Sequence, residues 1–240
     1  RITCAQCKAP TKTADYSVTR VGKREDTKKD VGTISTSTPL AWGDGTHTFY
    51  AVYPSPATSG TECTIDGKTI TGSIPAVQTY TTTSSTTDGI VTAPDMKRQY
   101  MVAKVQAPEK ASSVVLDFYP MSTALEFTLT NDLGSGNNIL IKSIQLSSEN
   151  YALNGAFTID MDNIGGVNGR PYCTTTATAA SNNTVTINFG GTQVNIGKTL
   201  NFTFFLNPGN GGATGINDLT LTINGTNNAT GKTFTRSTKL

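Results

Sequence analysis

One histidine, four cysteines and a pair of carboxylates two residues apart are the groups in this chain whose types and spacing could do chemistry. A Ser-His-Asp or Cys-His site needs an imidazole that trades protons near neutral pH, and any such site here would have to use His47. His47 closes the run Gly43-Asp44-Gly45-Thr46-His47, which reads as a turn leading into a strand, so an exposed turn histidine is expected. Asp160 and Asp162 share one face of an extended segment and could bind calcium or work as an acid/base pair. Solvated strand-end acids are the simpler reading. Cys4-Ala5-Gln6-Cys7 has the spacing of half a zinc site or a redox motif, but no second cysteine pair follows and His47 stands alone, so zinc is not expected. Cys4, Cys7, Cys63 and Cys173 allow three complete pairings, and the sequence does not choose among them.

Other motifs dissolve into turns. Asp44-Gly45 and Asp66-Gly67 have the composition of tight hairpin turns, which explains both without a ligand. Gly134-Ser135-Gly136 lacks the lysine and the helix that a phosphate-cradling loop requires. The single tryptophan, Trp42, could be a sugar-stacking platform or a packing residue at a domain edge. The chain is therefore expected to be no enzyme and to hold neither metal nor cofactor.

The elements around these residues read as strands. Residues 46–53 put Phe49, Ala51 and Tyr53 on one face and Tyr50 and Val52 on the other, a strand buried on both sides. Residues 69–74, 99–105, 113–119 and 125–130 follow, the last alternating apolar and polar side chains strictly. Residues 79–87 have little to bury and read as a loop or a solvent-facing edge. In the second half the strands are 140–146, 157–161, 185–189, 200–206 and 219–223. Leu200, Phe202, Phe204 and Leu206 share one face, so a register slip of one residue would bury Asn201 and Thr203 instead. Residues 1–9 read as a short strand, and 11–40 as a polar, weakly anchored stretch.

Composition agrees. Roughly one residue in six is threonine, a β-branched type that suits pleated surfaces, and no segment carries apolar residues at helical spacing. The formal net charge is only +2, and the basic run from Arg20 to Lys29 is mixed with Glu25, Asp26 and Asp30, which reads as a solvated loop. Nucleic acid is not an expected partner, because a basic face interleaved with exposed aromatics is missing. Nothing approaches the roughly 20 consecutive apolar residues that a spanning helix needs. At 240 residues the chain has room for two β-sandwiches, with a boundary expected near Pro120: residues 1–122 as an N-terminal sandwich and 123–240 as a C-terminal one.

A series of phrases then gives a resemblance. Trp42-Gly43-Asp44-Gly45-Thr46-His47-Thr48-Phe49-Tyr50-Ala51-Val52-Tyr53-Pro54 is followed by Ile74-Pro75-Ala76-Val77-Gln78 and by Asp88-Gly89-Ile90-Val91-Thr92-Ala93. After these come Val115-Leu116-Asp117-Phe118-Tyr119-Pro120-Met121-Ser122-Thr123-Ala124-Leu125-Glu126-Phe127, then Ile144-Gln145-Leu146, Gly155-Ala156-Phe157 and Phe204-Phe205-Leu206-Asn207-Pro208-Gly209. In this order and spacing they resemble the fimbrillin-like (type V pilin) proteins of the Bacteroidales, over roughly residues 40–240. One departure is Pro120, where relatives often carry a histidine.

The resemblance implies two tandem transthyretin-like antiparallel β-sandwich domains and export as a lipoprotein to the outer membrane. It implies a structural role in a surface fimbria, assembled when proteolysis beside a basic residue triggers strand exchange between subunits. Partners would be copies of the chain, related pilins, and host or bacterial adhesion targets. Candidate processing sites are Lys12, Arg20 and Arg24. A candidate assembly strand at a sheet edge is Thr233, Phe234, Thr235, Arg236, Ser237, Thr238, Lys239 and Leu240, and family members usually continue with one or two more strands. The alternative is a surface glycan-binding lipoprotein, in which Trp42 would contact sugar.

Overall fold

The computed structural model describes residues 1–23, 30–58, 60–134, 137–164, 171–195, 197–207 and 216–240. Strands take 56% of the residues and helix 3%, so the class is all-β, built of mostly antiparallel sheets packed as sandwiches, with a parallel pairing in two of them. Strands are numbered in chain order.

The first sheet holds β1 (Ile2–Thr3), β2 (Thr13–Ala14), β5 (His47–Tyr53), β11 (Met101–Ala107) and β12 (Tyr119–Pro120), in the order β12-β11-β5-β1-β2. A separate ribbon pairs β3 (Ser17–Lys23) with β4 (Asp30–Ser35). The second sheet has β6 (Cys63–Asp66), β7 (Thr69–Ile74), β15 (Gly155–Ile164) and β16 (Pro171–Thr175), ordered β16-β15-β7-β6. The third has β9 (Tyr80–Ser85), β10 (Gly89–Pro94), β13 (Thr123–Thr130) and β18 (Thr199–Leu206), ordered β13-β18-β10-β9. The fourth has β8 (Val77–Gln78), β14 (Ile139–Ser147), β17 (Thr184–Val194), β19 (Thr220–Asn227) and β20 (Thr233–Lys239), ordered β20-β19-β14-β17-β8.

Two shared cores pair these sheets. Ile144 and Leu146 of β14 and Ile187 of β17 pack with Leu200, Phe202 and Phe204 of β18, which closes the third sheet on the fourth. Each such side chain contributes roughly 1.5–3 kcal/mol by leaving water. Val52 of β5 and Val102 of β11 pack with Ile70 of β7 and with Phe157 and Ile159 of β15, which closes the first sheet on the second. The opposite face of the first sheet carries a third cluster around Ile2, Phe49, Ala51 and Ala103. Strand β5 is thus buried on both faces, as its alternation predicts.

The expected division at residue 122 does not follow the sheets. Strand β7 pairs with β15, β10 with β18 and β8 with β17, so the second, third and fourth sheets each draw from both halves of the chain. Apolar density does rise after Ala124, but density marks strands and not their partners. Only the first sheet lies wholly within 1–122.

Two further departures have local causes. Residues 113–118, expected as a strand, form no ladder: Val114, Leu116 and Phe118 lie on the third cluster, and only Tyr119 and Pro120 pair with β11. Alternation arose because one side of an extended strap meets an apolar layer, which needs no neighbouring strand. Conversely, the polar stretch hides the β3–β4 ribbon, whose side chains are nearly all exposed and so leave no apolar period. Arg20 and Lys23, expected in a loop, stand on β3.

Candidate functional site

The resemblance directs attention to the N-terminal segment, the basic residues after it and the last strand. Strand β1 is inserted between β5 and β2: Ile2 faces Ala51 and Ala14, and Thr3 faces Tyr50 and Thr13. Ile2, Cys4 and Cys7 are buried against Phe49, Ala51 and Ala103. The start of the chain, expected as a short strand, is therefore two ladder residues followed by a tight turn, and its apolar side chains complete a core.

That turn is clamped by the 42–48 segment. Thr48 N–H donates to Gln6 Oε1 at 3.2 Å, and Lys8 N–H donates to Ala41 O at 3.0 Å. A Cβ on Gly43 would lie 2.2 Å from Gln6 O, so the backbones meet where only glycine fits. His47, expected to be exposed, is fully buried. Its Nε2 lies 2.8 Å from Gly43 N–H and so accepts, and its Nδ1 lies 2.8 Å from Gly45 O and so donates. Two backbone partners of opposite polarity fix one neutral tautomer. Trp42 stands edge-on to His47 at 4.8 Å and to Phe49 at 5.6 Å. The imidazole staples a turn, and both its nitrogens are engaged in doing so. The two glycines that precede it in the sequence, Gly43 and Gly45, are the signal that could have exposed this role.

The three basic residues sit in different settings. Lys12 lies in the β1–β2 connection, where its carbonyl accepts from Cys4 N–H at 2.9 Å and its ammonium donates to Ala5 O at 2.6 Å. Arg20 stands on β3 of the exposed ribbon and pairs with Asp30 across it at 2.9 Å. Arg24 lies outside the described residues. Strand β20 is the outermost strand of the fourth sheet; Thr233 to Lys239 pair with β19 at seven positions, and Leu240 N–H donates to Leu219 O. The ring of Phe234 lies over Gly225, where a Cβ would approach it to 2.6 Å. Among the described residues, the other edge of β20 has no strand beside it.

The carboxylate pair lies within β15, engaged with cations. Asp162 receives Lys104 Nζ at 2.6 Å, Tyr50 O–H at 2.8 Å and Lys68 Nζ at 3.3 Å, and Lys68 also lies 3.9 Å from Asp160. The hydrogen bond from Lys104, followed by that from Tyr50, pulls the Asp162 carboxyl down to about 2. Burial and the same carboxylate push the Tyr50 phenol up to about 12. A carboxylate compensated by two ammoniums is a tie between the first and second sheets, and it has neither the free charge for calcium nor the raised pKa of a general acid. Among the described residues no three His, Cys, Asp or Glu side chains converge, and no helix is long and apolar enough to cross a membrane.

Two buried polar residues escaped notice in the sequence. Tyr100, fully buried between the first two sheets, donates its hydroxyl to Ser73 O at 3.1 Å and Glu62 O at 3.2 Å. Gln78 serves as a substitute strand: β10 pairs with β18 only as far as Asn201, and beyond it the Gln78 amide accepts from Phe205 N–H at 2.9 Å and donates to Phe205 O.

No protein-family model matches the chain, and no curated protein does. Among solved structures the chain is similar to a proposed cell adhesion protein from Bacteroides ovatus, with 17% identity, a TM-score of 0.44, and coverage of 98% of this chain and 74% of that one.

Proposed function

We propose that the chain is a structural subunit of a bacterial surface fimbria, exported as a lipoprotein, in which proteolysis after a basic residue frees the N-terminal segment and an extended segment of another subunit takes its place. The observation that carries this reading is the insertion of β1 between β5 and β2, with Ile2, Cys4 and Cys7 filling an apolar cluster. Loss of residues 1–14 would uncover Phe49, Ala51 and Ala103 together with the unpaired edge of β5. A strand with matching apolar side chains would satisfy both, through ladder hydrogen bonds and through burial. Strand β20, with its open outer edge, is the segment of this chain placed to meet another copy.

The setting of each basic residue ranks the cleavage sites. A protease needs several residues of extended, unpaired backbone, and a two-stranded ribbon packed on little else opens at small cost. Arg20 meets that condition and Lys12 does not. The glycan-binding alternative is disfavoured by Trp42, whose ring packs against His47 and Phe49.

Full-length protein treated with an arginine-specific protease should be cut at Arg20 first and then form ladders resistant to mild detergent. The Arg20→Ala variant should be cut severalfold more slowly, and Lys12→Ala at the normal rate. Ladders that form undiminished when Lys12, Arg20 and Arg24 are all replaced by alanine would remove the cleavage hypothesis.

A further inference from the structure

The four cysteines were left open by the sequence, and the sheets restrict them. Cys63 lies on β6 and Cys173 on β16, the two edge strands of the second sheet, with β7 and β15 between them. Three strand spacings separate the two by roughly 14 Å, whereas a disulfide needs Cα atoms about 4.4–6.8 Å apart. Cys4 and Cys7 belong to the cluster on the outer face of the first sheet, and Cys63 and Cys173 to the core on its inner face. The β5 and β11 backbones therefore stand between the two groups. Every complete pairing of the four is excluded.

One pair meets the requirement. Cys7 N–H donates to Cys4 O at 3.4 Å across Ala5 and Gln6, a turn whose ends lie within about 7 Å of one another. Both side chains are buried in the same cluster, 0% and 3% exposed. All four cysteines are free thiols in this structure, and Cys4 Sγ donates to Gln6 Oε1 at 3.8 Å inside the same turn; the Cys7 thiol is pushed up to about 12, by burial first and then by a hydrogen bond with the Cys4 thiol.

We infer that Cys4 and Cys7 form the single disulfide of this protein, while Cys63 and Cys173 remain thiols. The bond forms by exchange with a low-molecular-weight or protein disulfide during folding. The two cysteine thiols give up two protons and two electrons, one S–S bond forms, and the oxidant leaves as two thiols. The ring so closed contains Gln6, whose side chain accepts from Thr48 and whose backbone touches Gly43, so the bond holds the seat on which β1 is delivered. The assignment stands independently of the proposed assembly.

The test folds the reduced, denatured chain in a mixture of reduced and oxidised glutathione, quenches with acid, alkylates in denaturant and digests with trypsin. The expected result is an unalkylated peptide of residues 2–8, two hydrogens lighter than its dithiol form, with Cys63 and Cys173 both alkylated. The double variant Cys63→Ser, Cys173→Ser should keep this peptide unchanged. Reduction should lower the folding equilibrium of the native sequence by on the order of twenty-fold, the chain-entropy value for so short a loop, and leave the double variant Cys4→Ser, Cys7→Ser unaffected. Alkylation of all four cysteines after oxidative folding, or any linked peptide that contains Cys63 or Cys173, would overturn the inference.

Discussion

Tyr100 carries the clearest pH signature of any single residue here. Burial pushes its phenol up to about 12 from the ordinary 10.0. A group whose folded pKa is raised binds its proton more tightly when folded, so its contribution is full below pH 10 and is lost as pH rises from 10 through 12. In an alkaline titration, tyrosinate absorbance should therefore contain a late component that coincides with unfolding. Tyr100→Phe should shrink that component to the share of Tyr50, whose phenol is also pushed up to about 12; an undiminished late component in the variant would place it elsewhere. Asp162 behaves with the opposite sign, its contribution fading as pH falls from the ordinary 3.8 toward 2, and solvent keeps that contribution small. At this scale the sequence was a partial guide. It marked His47 as a turn residue, yet its burial depends on Gly43 and Gly45 offering a donor and an acceptor to the same ring, which only the folded turn arranges.

Elements were more legible than residues. Strands β5, β7, β13, β14 and β18 lie where side-chain alternation put them, because each faces a core on at least one side. Alternation failed in two informative ways: residues 113–118 alternate without a ladder, and β3–β4 form a ladder without apolar alternation. Backbone pairing and side-chain burial are separate requirements, and the local pattern reports only the second. Packing between neighbouring strands gives a sharp prediction. A Cβ on Gly72 of β7 would stand 2.4 Å from the Phe157 ring on β15, and β15 is held between β7 and β16, so the ring has little freedom to withdraw. Gly72→Ala should cost about 1–3 kcal/mol in denaturant unfolding. Gly134→Ala, with nothing within 4 Å, should stay within about 0.5 kcal/mol. Equal effects of the two substitutions would show that the inter-strand contact is not what limits this site.

Across the whole molecule, four sheets close in two pairs, with strands traded between the halves of the chain. The all-β class was readable from threonine content and period-two patterning. The trading was not, since Phe157 against Gly72 and Ile90 against Leu200 are pairings across about a hundred residues that no local window contains. The same arrangement supports the proposal that the N-terminal segment is the part exchanged. Strands β1 and β2 are short and lie at one side of the first sheet, whereas β7, β8 and β10 are paired to strands of the other half. The proposed assembly requires that residues 1–20 behave as an exchangeable strand of an otherwise intact fold. Protein cleaved after Arg20 should be mixed with an isotope-labelled peptide of residues 1–20 and followed by native mass spectrometry together with amide exchange. The prediction is that the labelled peptide replaces the resident fragment and that protection of the Tyr50 and Val52 amides, the ones that face β1, is lost without the peptide and returns with it. No uptake, with those two amides equally protected whether or not the segment is present, would contradict the account.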